Sequence, residues 1–247
     1  MKFRMILTVL TVMFVMPAQK INAETVYLTS LAWPPYSEPK LAEQGASVAV
    51  AKAAFAEMGH ELVVDFFPWT RAVKLAEDPK SKYIGYMPEY LYESDTFVFS
   101  SPMGTGPLGL VESTDKPISW ASYDDLSQYT IGVVQDYVNT EELDERIASG
   151  AISSQTVTSD DKNLLKVAAG RIDAAVIDAN VFKYLVENQP GLSKVANKLQ
   201  MNEKLLVEKE LYIAFKNTPE GQKWLSIFNQ GLSKVDIEAV MTEYLNR

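Results

Sequence analysis

The sequence predicts an α/β protein of two lobes built on mixed sheets, and three observations carry that prediction. Apolar strand-like runs alternate with amphipathic helical stretches nearly throughout, the pattern of parallel strands joined by helices. Two stretches, near 110 and near 210, read as strands that leave one such unit and return to it. The chain also has no Cys, so its cores must come from apolar burial, for which two lobes of this size suffice.

In chain order, Met1-Lys2-Phe3-Arg4 is basic, Met5 to Met16 is apolar apart from Thr, and Ile21-Asn22-Ala23 ends on a small residue. This predicts a signal peptide cleaved after Ala23 and a periplasmic mature protein. The apolar run spans only about 18 Å as a helix, short of a bilayer crossing. Removing residues 1–23 takes away Lys2, Arg4 and Lys20 and no acid, moving the net charge from −9 to −12. Such an acidic chain repels phosphate backbones, which argues against nucleic-acid binding.

Glu24 to Tyr36 starts as a strand and is stopped by Pro34-Pro35, since proline cannot continue a ladder. Ala46 to Met58 puts Val48, Ala51, Phe55 and Met58 near one helical face before Gly59. Glu61 to Phe67 is a second strand, and Pro68-Trp69-Thr70-Arg71 opens a helix ending near Pro79. Tyr83 to Met87 is a short third strand and Leu108 to Glu112 the first crossing. A second α/β unit comes next: strand Thr130 to Val134, a helix from a capping box of Asn139 and Glu142, a helix capped by Ser159, and the apolar strand Ile172 to Ile177. Leu205 to Phe215 crosses back, and Thr218-Pro219 starts a helix that precedes another over Asp236 to Asn246. Residues 24–110 with 212–247 form lobe 1, and 111–211 form lobe 2. Two such crossings make a hinge that can close on a ligand.

Ligands of parallel α/β sheets sit at the carboxyl ends of strands, which selects the candidate residues. Trp33, Tyr36 and Trp69 come just after strand ends as aromatic walls. Asp178 ends the Ala174-Ala175-Val176-Ile177 strand, where it can take a ligand ammonium, cap the following helix, or do both. After cleavage four Arg remain, at 71, 146, 171 and 247. Arg146 pairs with Glu142, Arg171 precedes a strand and Arg247 is terminal, leaving Arg71 in a helical first turn. The helix dipole disfavours a cation there, so either it shares an anionic ligand group with the helix amides or it is a surface residue with a small penalty. Ser101 and Gln135 lie in loops that can donate hydrogen bonds.

Catalytic chemistry has little to work with. His60 is the one His and falls in a helix-to-strand turn; there is no metal-ligand spacing, Gly-rich phosphate loop or Gly-x-Ser-x-Gly. Asp124-Asp125 and Asp160-Asp161 read as helix caps. No catalytic residue, metal or cofactor is expected.

The Trp33-Pro34-Pro35-Tyr36 turn, the Pro68-Trp69-Thr70-Arg71 turn, the Phe97 to Pro102 segment and the Asp173 to Asp178 strand occur in an order and spacing that resembles the family 3 extracellular solute-binding proteins, the polar-amino-acid receptors of ABC importers. The resemblance covers residues 24–247. It implies the two-lobed periplasmic binding protein type II fold with two crossing hinge strands, a monomer that delivers a small-molecule ligand to a membrane permease, an aromatic contact near Trp33 to Tyr36 and an acid at Asp178. Family members that bind amino acids usually carry Thr-Pro-Glu-Arg after the third strand, the Arg clamping the ligand carboxylate. Here the stretch is Met87-Pro88-Glu89-Tyr90, and no Arg occurs between Arg71 and Arg146. Either Arg71 has taken over the anion or the ligand is not an amino acid. The alternatives are a periplasmic dehydratase on the same fold, for which Glu89 and Glu93 are the nearby acids, and a sensory protein whose closed form docks on a receptor.

Overall fold

The computed structural model describes residues 23–245, so the signal peptide expected over residues 1–23 lies, but for Ala23, outside the described residues. The chain runs β1 (Thr25–Ser30), α1 (Ala46–Glu57), β2 (Glu61–Phe66), α2 (Trp69–Glu77), β3 (Gly85–Glu89), β4 (Phe97–Phe99) and β5 (Thr105–Ser113). It continues through β6 (Thr130–Val134), α3 (Glu141–Ala148), β7 (Ser153–Val157), α4 (Asp160–Ala168), β8 (Ala174–Asp178), α5 (Ala179–Asn188), α6 (Pro190–Ser193), β9 (Leu199–Met201) and β10 (Val207–Glu210). It ends with β11 (Tyr212–Lys216), α7 (Pro219–Leu232) and α8 (Ile237–Leu245).

Two mixed sheets result. One has the order β2-β1-β3-β11-β4; the other runs β10-β5-β8-β6-β7, with β9 also on β5. β1 and β2 are parallel in unbroken register from Thr25 opposite Glu61 to Ser30 opposite Phe66. Both strands therefore stop at one level, and the segments after them, Leu31 to Tyr36 and Phe67 to Trp69, leave the same sheet edge. β6 is likewise parallel to β7 and β8, so the loops after Val134 and Val157 and the Asp178 end of β8 share an edge of the second sheet. The chain passes between the sheets twice. β5 carries it over and β10 with β11 carries it back, β10 lying antiparallel along β5 from Val207 opposite Leu108 to Glu210 opposite Thr105. Paired crossings side by side give the two-lobed architecture expected above.

Each lobe closes its own core. In the first, Phe55 of α1 meets Phe228 of α7 with ring centroids 5.3 Å apart, and Phe228 in turn meets Phe215 of β11 at 6.0 Å; all three are fully buried. In the second, Leu110, Ile131, Leu143 and Leu164 are fully buried between sheet and helices. Burying each such side chain contributes about 1.5–3 kcal/mol, which lets the lobes dispense with disulfides.

Several expected elements move. β3 runs on through Pro88 to Glu89 instead of stopping at Met87, because the register of its partner β11 shifts between Tyr212 and Ala214, opposite the residue that has no N–H to give. The short strands β4, β7 and β9 carry no clear alternation; β7 reads Ser-Ser-Gln-Thr-Val and has no fully buried residue. The cap of α3 is Thr140, whose hydroxyl accepts from the Leu143 amide, while the expected cap Asn139 turns inward and bonds Asp144. Ser159 holds the N-cap position of α4 without a side-chain bond. Thr218 does cap α7, accepting from the Gly221 amide at 3.2 Å. Thr218→Ala is expected to cost about 1 kcal/mol, measurable as a lower urea midpoint with unchanged slope; an unmoved midpoint would show that the cap is idle.

Candidate functional site

The turn after β1 places the first aromatics. The Trp33 amide donates to the Ser37 carbonyl (2.6 Å) and the Tyr36 amide to the Trp33 carbonyl (3.1 Å), a tight reversal forced by the two prolines. It stacks the Trp33 and Tyr36 rings with centroids 4.7 Å apart. Tyr36 is fully buried and reaches across to the second lobe, where its hydroxyl donates to Asp178 Oδ2 (3.1 Å) and accepts from Asn180 Nδ2 (2.8 Å). Asp178 thus has two tasks. Its Oδ1 accepts from the Asn180 and Val181 amides at 2.8 and 3.1 Å as the N-cap of α5, and its Oδ2 faces the first lobe. Capping and interlobe contact coexist.

Trp69 enters from the first turn of α2. Its indole N–H donates to the Asp136 carbonyl across the cleft (3.0 Å), and its ring meets Tyr137 edge-on at 6.0 Å. Thr70 hydrogen-bonds the Asp136 carboxylate. Asp136 adopts φ +62°, a left-handed conformation that Asp tolerates better than most residues, and this turns its backbone toward Trp69.

Between the lobes lie two small inner cavities that share Trp33, Tyr90, Tyr137 and Val138 as walls. One, of about 30 Å³, is completed by Trp69 and Glu89; the other, of about 20 Å³, by Asn139, Asp160 and Asp178. Each has room for one or two waters. A wider mouth of about 400 Å³ opens outside them, walled by Phe67, Trp69, Tyr137 and Asp160 among others. The cleft is therefore closed over an aromatic interior.

Three carboxyls stand in this interior, with relative exposures of 7% for Glu89, 7% for Asp160 and 1% for Asp178. Burial pushes Glu89 up to about 8, against the pull of the Tyr90 amide on its carboxylate. It pushes Asp178 up to about 7, opposed by the Val181 and Asn180 amides and by Tyr36. Asp160 is also raised to about 7, first by burial and then by the charge of Asp178. Taking an ion out of water disfavours its charged form unless a counter-charge enters with it. Among the described residues, no Lys, Arg or His lines either inner cavity.

The sequence-selected residues divide accordingly. Trp33, Tyr36, Trp69 and Asp178 are brought together. Arg71 is not: it is exposed on α2, its guanidinium 5.2 Å from the Phe67 ring centroid, and cation–π contact answers the dipole penalty that makes it conspicuous in sequence. Ser101 is exposed and uses its amide to donate to Asn229 Oδ1 at 2.8 Å. Gln135 is exposed as well, its amide bonded to the Val157 carbonyl at 2.7 Å; its neighbours Asp136 and Tyr137 reach the cleft instead. Glu89, Tyr90, Tyr137 and Asp160 also line the inner cavities; sequence reasoning selects none of Glu89, Tyr90 and Asp160 as ligand contacts, and reaches Tyr137 only as part of the Gln135 loop. For Asp160 a signal exists: Asp160, Leu164 and Val167 have the i, i+4, i+7 spacing of one helix face, so the acid shares the buried stripe.

No family model matches the chain, and no curated protein does. Solved structures match its fold. A histidine kinase sensor domain with similarity to periplasmic binding proteins is 18% identical with TM-score 0.75, over 89% of this chain and 95% of that one. The substrate binding protein of an amino acid ABC transporter is 16% identical with TM-score 0.68, over 90% and 97%. The ancestral amino acid-binding protein AncCDT-1, a precursor of cyclohexadienyl dehydratase, is 17% identical with TM-score 0.68, over 90% and 94%. At these identities the likeness is one of fold: this chain has the two-lobed architecture of periplasmic binding proteins.

Proposed function

We propose that the protein is a periplasmic solute-binding protein that captures a small polar metabolite between its lobes and presents it to a membrane permease. Lobe 1 is assigned to residues 24–110 and 212–247, and lobe 2 to 111–211. The observation that carries the reading is the closed cleft itself, where Trp33, Tyr36, Trp69 and Glu89 from one lobe meet Tyr137, Asp160 and Asp178 from the other. Side chains from both halves around one interior make ligand contact and lobe closure a single event. Likeness of fold to a transporter's substrate binding protein supports the delivery role.

A thermal-shift screen of amino acids, amines and organic acids tests it. A ligand at a hundred times its Kd stabilises by about 2.7 kcal/mol, so the true solute raises Tm by several degrees. Scattering of the protein with that solute should show a more compact particle than without it. A screen without any Tm change, joined to scattering that no solute alters, sinks the reading. Within it, Trp33→Ala is expected to weaken binding about tenfold or more, through loss of a stacked wall. Arg71→Ala should leave the affinity within about twofold, since its guanidinium lies outside the cavities.

One observation favours an enzymatic second reading: a buried carboxyl held near neutrality, as Glu89 is, suits proton transfer. Monitoring a bound solute by NMR over hours separates the two, because a binding protein returns it unchanged.

A further inference from the structure

Resting on the solute-binding reading above, we propose that the solute is a linear aliphatic diamine, one ammonium at Glu89, the other at Asp160 and Asp178, and its methylenes between the rings of Trp33, Tyr90 and Tyr137.

Charge favours a cation. Three acids occupy the interior while the described cations stay outside it. Lys209, which comes near Glu89, sits with Nζ 5.0 Å from the Tyr90 ring centroid and lines a separate outer hollow with Thr105 and Tyr212; Arg71 faces solvent over Phe67. An amino acid or dicarboxylate would bring its carboxylate into a low-dielectric space that offers it acids and no base.

Layout favours two positive charges over one. Glu89 lines one inner cavity, Asp160 and Asp178 line the other, and the same three rings form the partition between them. A single ammonium satisfies one side only: it leaves Glu89 with no cation nearer than Lys209 outside the cavity, or Asp160 with hydrogen bonds from Trp33 and Tyr137 but no cation lining its cavity. Two ammoniums joined by an apolar chain satisfy both, with the chain against aromatic faces that favour CH₂ groups next to a cation.

Tyr90 adds an unused polar group. It is buried, and its hydroxyl has no hydrogen-bond partner, a costly condition for a polar atom. It lines both inner cavities, the one with Glu89 and the one with Asp160 and Asp178, so an incoming ammonium at either end can donate to it. A metal ion is a poorer match: among the described residues, no group of three or more His, Cys, Asp or Glu is placed to hold one. The cavities are small, so the lobes must part to admit the chain.

Calorimetric titration of the full protein with putrescine, cadaverine, n-butylamine, succinate and a set of amino acids tests this. A diamine should bind at least about tenfold tighter than n-butylamine, the step that one satisfied charge pair of about 1.4 kcal/mol gives. Glu89→Gln should abolish that preference, Asp160→Asn should weaken the diamine about tenfold or more, and Glu93→Gln, at an exposed position, should change neither. Circular dichroism confirms that each variant folds. Amino acids or succinate binding in preference to diamines overturns the proposal and leaves the solute-binding reading standing, as does diamine binding that neither Glu89→Gln nor Asp160→Asn alters. If no member of the wider metabolite screen binds, both fall.

Discussion

Gly106→Ala is expected to unlock the cleft. Gly106 lies on the crossing strand β5, beside the end of β8, and a Cβ built there would stand 2.1 Å from Asp178 Oδ2 and 2.5 Å from Tyr36 Oη. Neither neighbour can easily yield. Tyr36 is fully buried and stacked on Trp33, while Asp178 is fixed by two amides of α5. The added methyl must therefore push the carboxyl and the hydroxyl apart, breaking the hydrogen bond that joins the lobes. Overpacking of this kind costs about 1–3 kcal/mol, and losing a bond to an ionisable group about as much again. Tyr36→Phe supplies the comparison, since it removes the same bond and inserts nothing. Denaturant unfolding should rank wild type above Tyr36→Phe and Tyr36→Phe above Gly106→Ala, and both variants should bind the cognate solute more weakly. A Gly106→Ala protein as stable as wild type would mean that the crossing strand does not press on this contact.

How much of this site can be read in the sequence depends on which rules act locally. Asp178 is legible because strand end and helix cap coincide on one residue, both readable within six positions of the chain. Trp33, Tyr36 and Trp69 are legible because parallel strands ending in register must deliver their next residues to one edge. Arg71 is singled out by elimination among residue types, and elimination cannot see that Phe67, four residues earlier, offers its guanidinium a ring. Glu89 is obscured by Pro88: proline marks the end of most central strands, yet here the bulge in β11 lets β3 carry on by two residues and take the acid inside. Asp160 is hidden behind its own plausibility as a cap. Its spacing with Leu164 and Val167 puts it on the buried stripe, but that this end of the helix shares a cavity with Trp33 and Tyr90 of the other lobe is a fact of tertiary packing. The fold, resting on repeated local patterns, is therefore more readable than the charge lining of its cleft.

That charge lining should make the protein respond to pH, with stability falling as pH rises from about 4 to about 8. The sign comes from linkage. Glu89, Asp160 and Asp178 titrate at about 8, 7 and 7 in the folded chain, against ordinary values of 4.5, 3.8 and 3.8. A folded value above the unfolded one means that the folded state holds its protons longer, so the stabilisation is full below the unfolded value and is lost as pH climbs through the folded one. Asp65, Asp125 and Asp173 are held below their ordinary range and act in the opposite sense, but only at more acid pH, outside this window. A tenfold change in proton affinity corresponds to about 1.4 kcal/mol, so the three acids together, coupled through Asp160 and Asp178, are worth several kcal/mol across the range. Growing net negative charge also destabilises at high pH, and variants separate the two causes. Glu89→Gln and Asp160→Asn should each flatten the fall in Tm between about pH 5 and 8 and raise Tm at the alkaline end, whereas Glu93→Gln, which changes net charge equally at the surface, should not. If the surface variant flattens the profile as much as the buried ones, general repulsion and not the cleft governs the response. Saturating cognate cation should have the same effect as the buried substitutions, because a counter-charge in the cleft lets the acids ionise in the folded state.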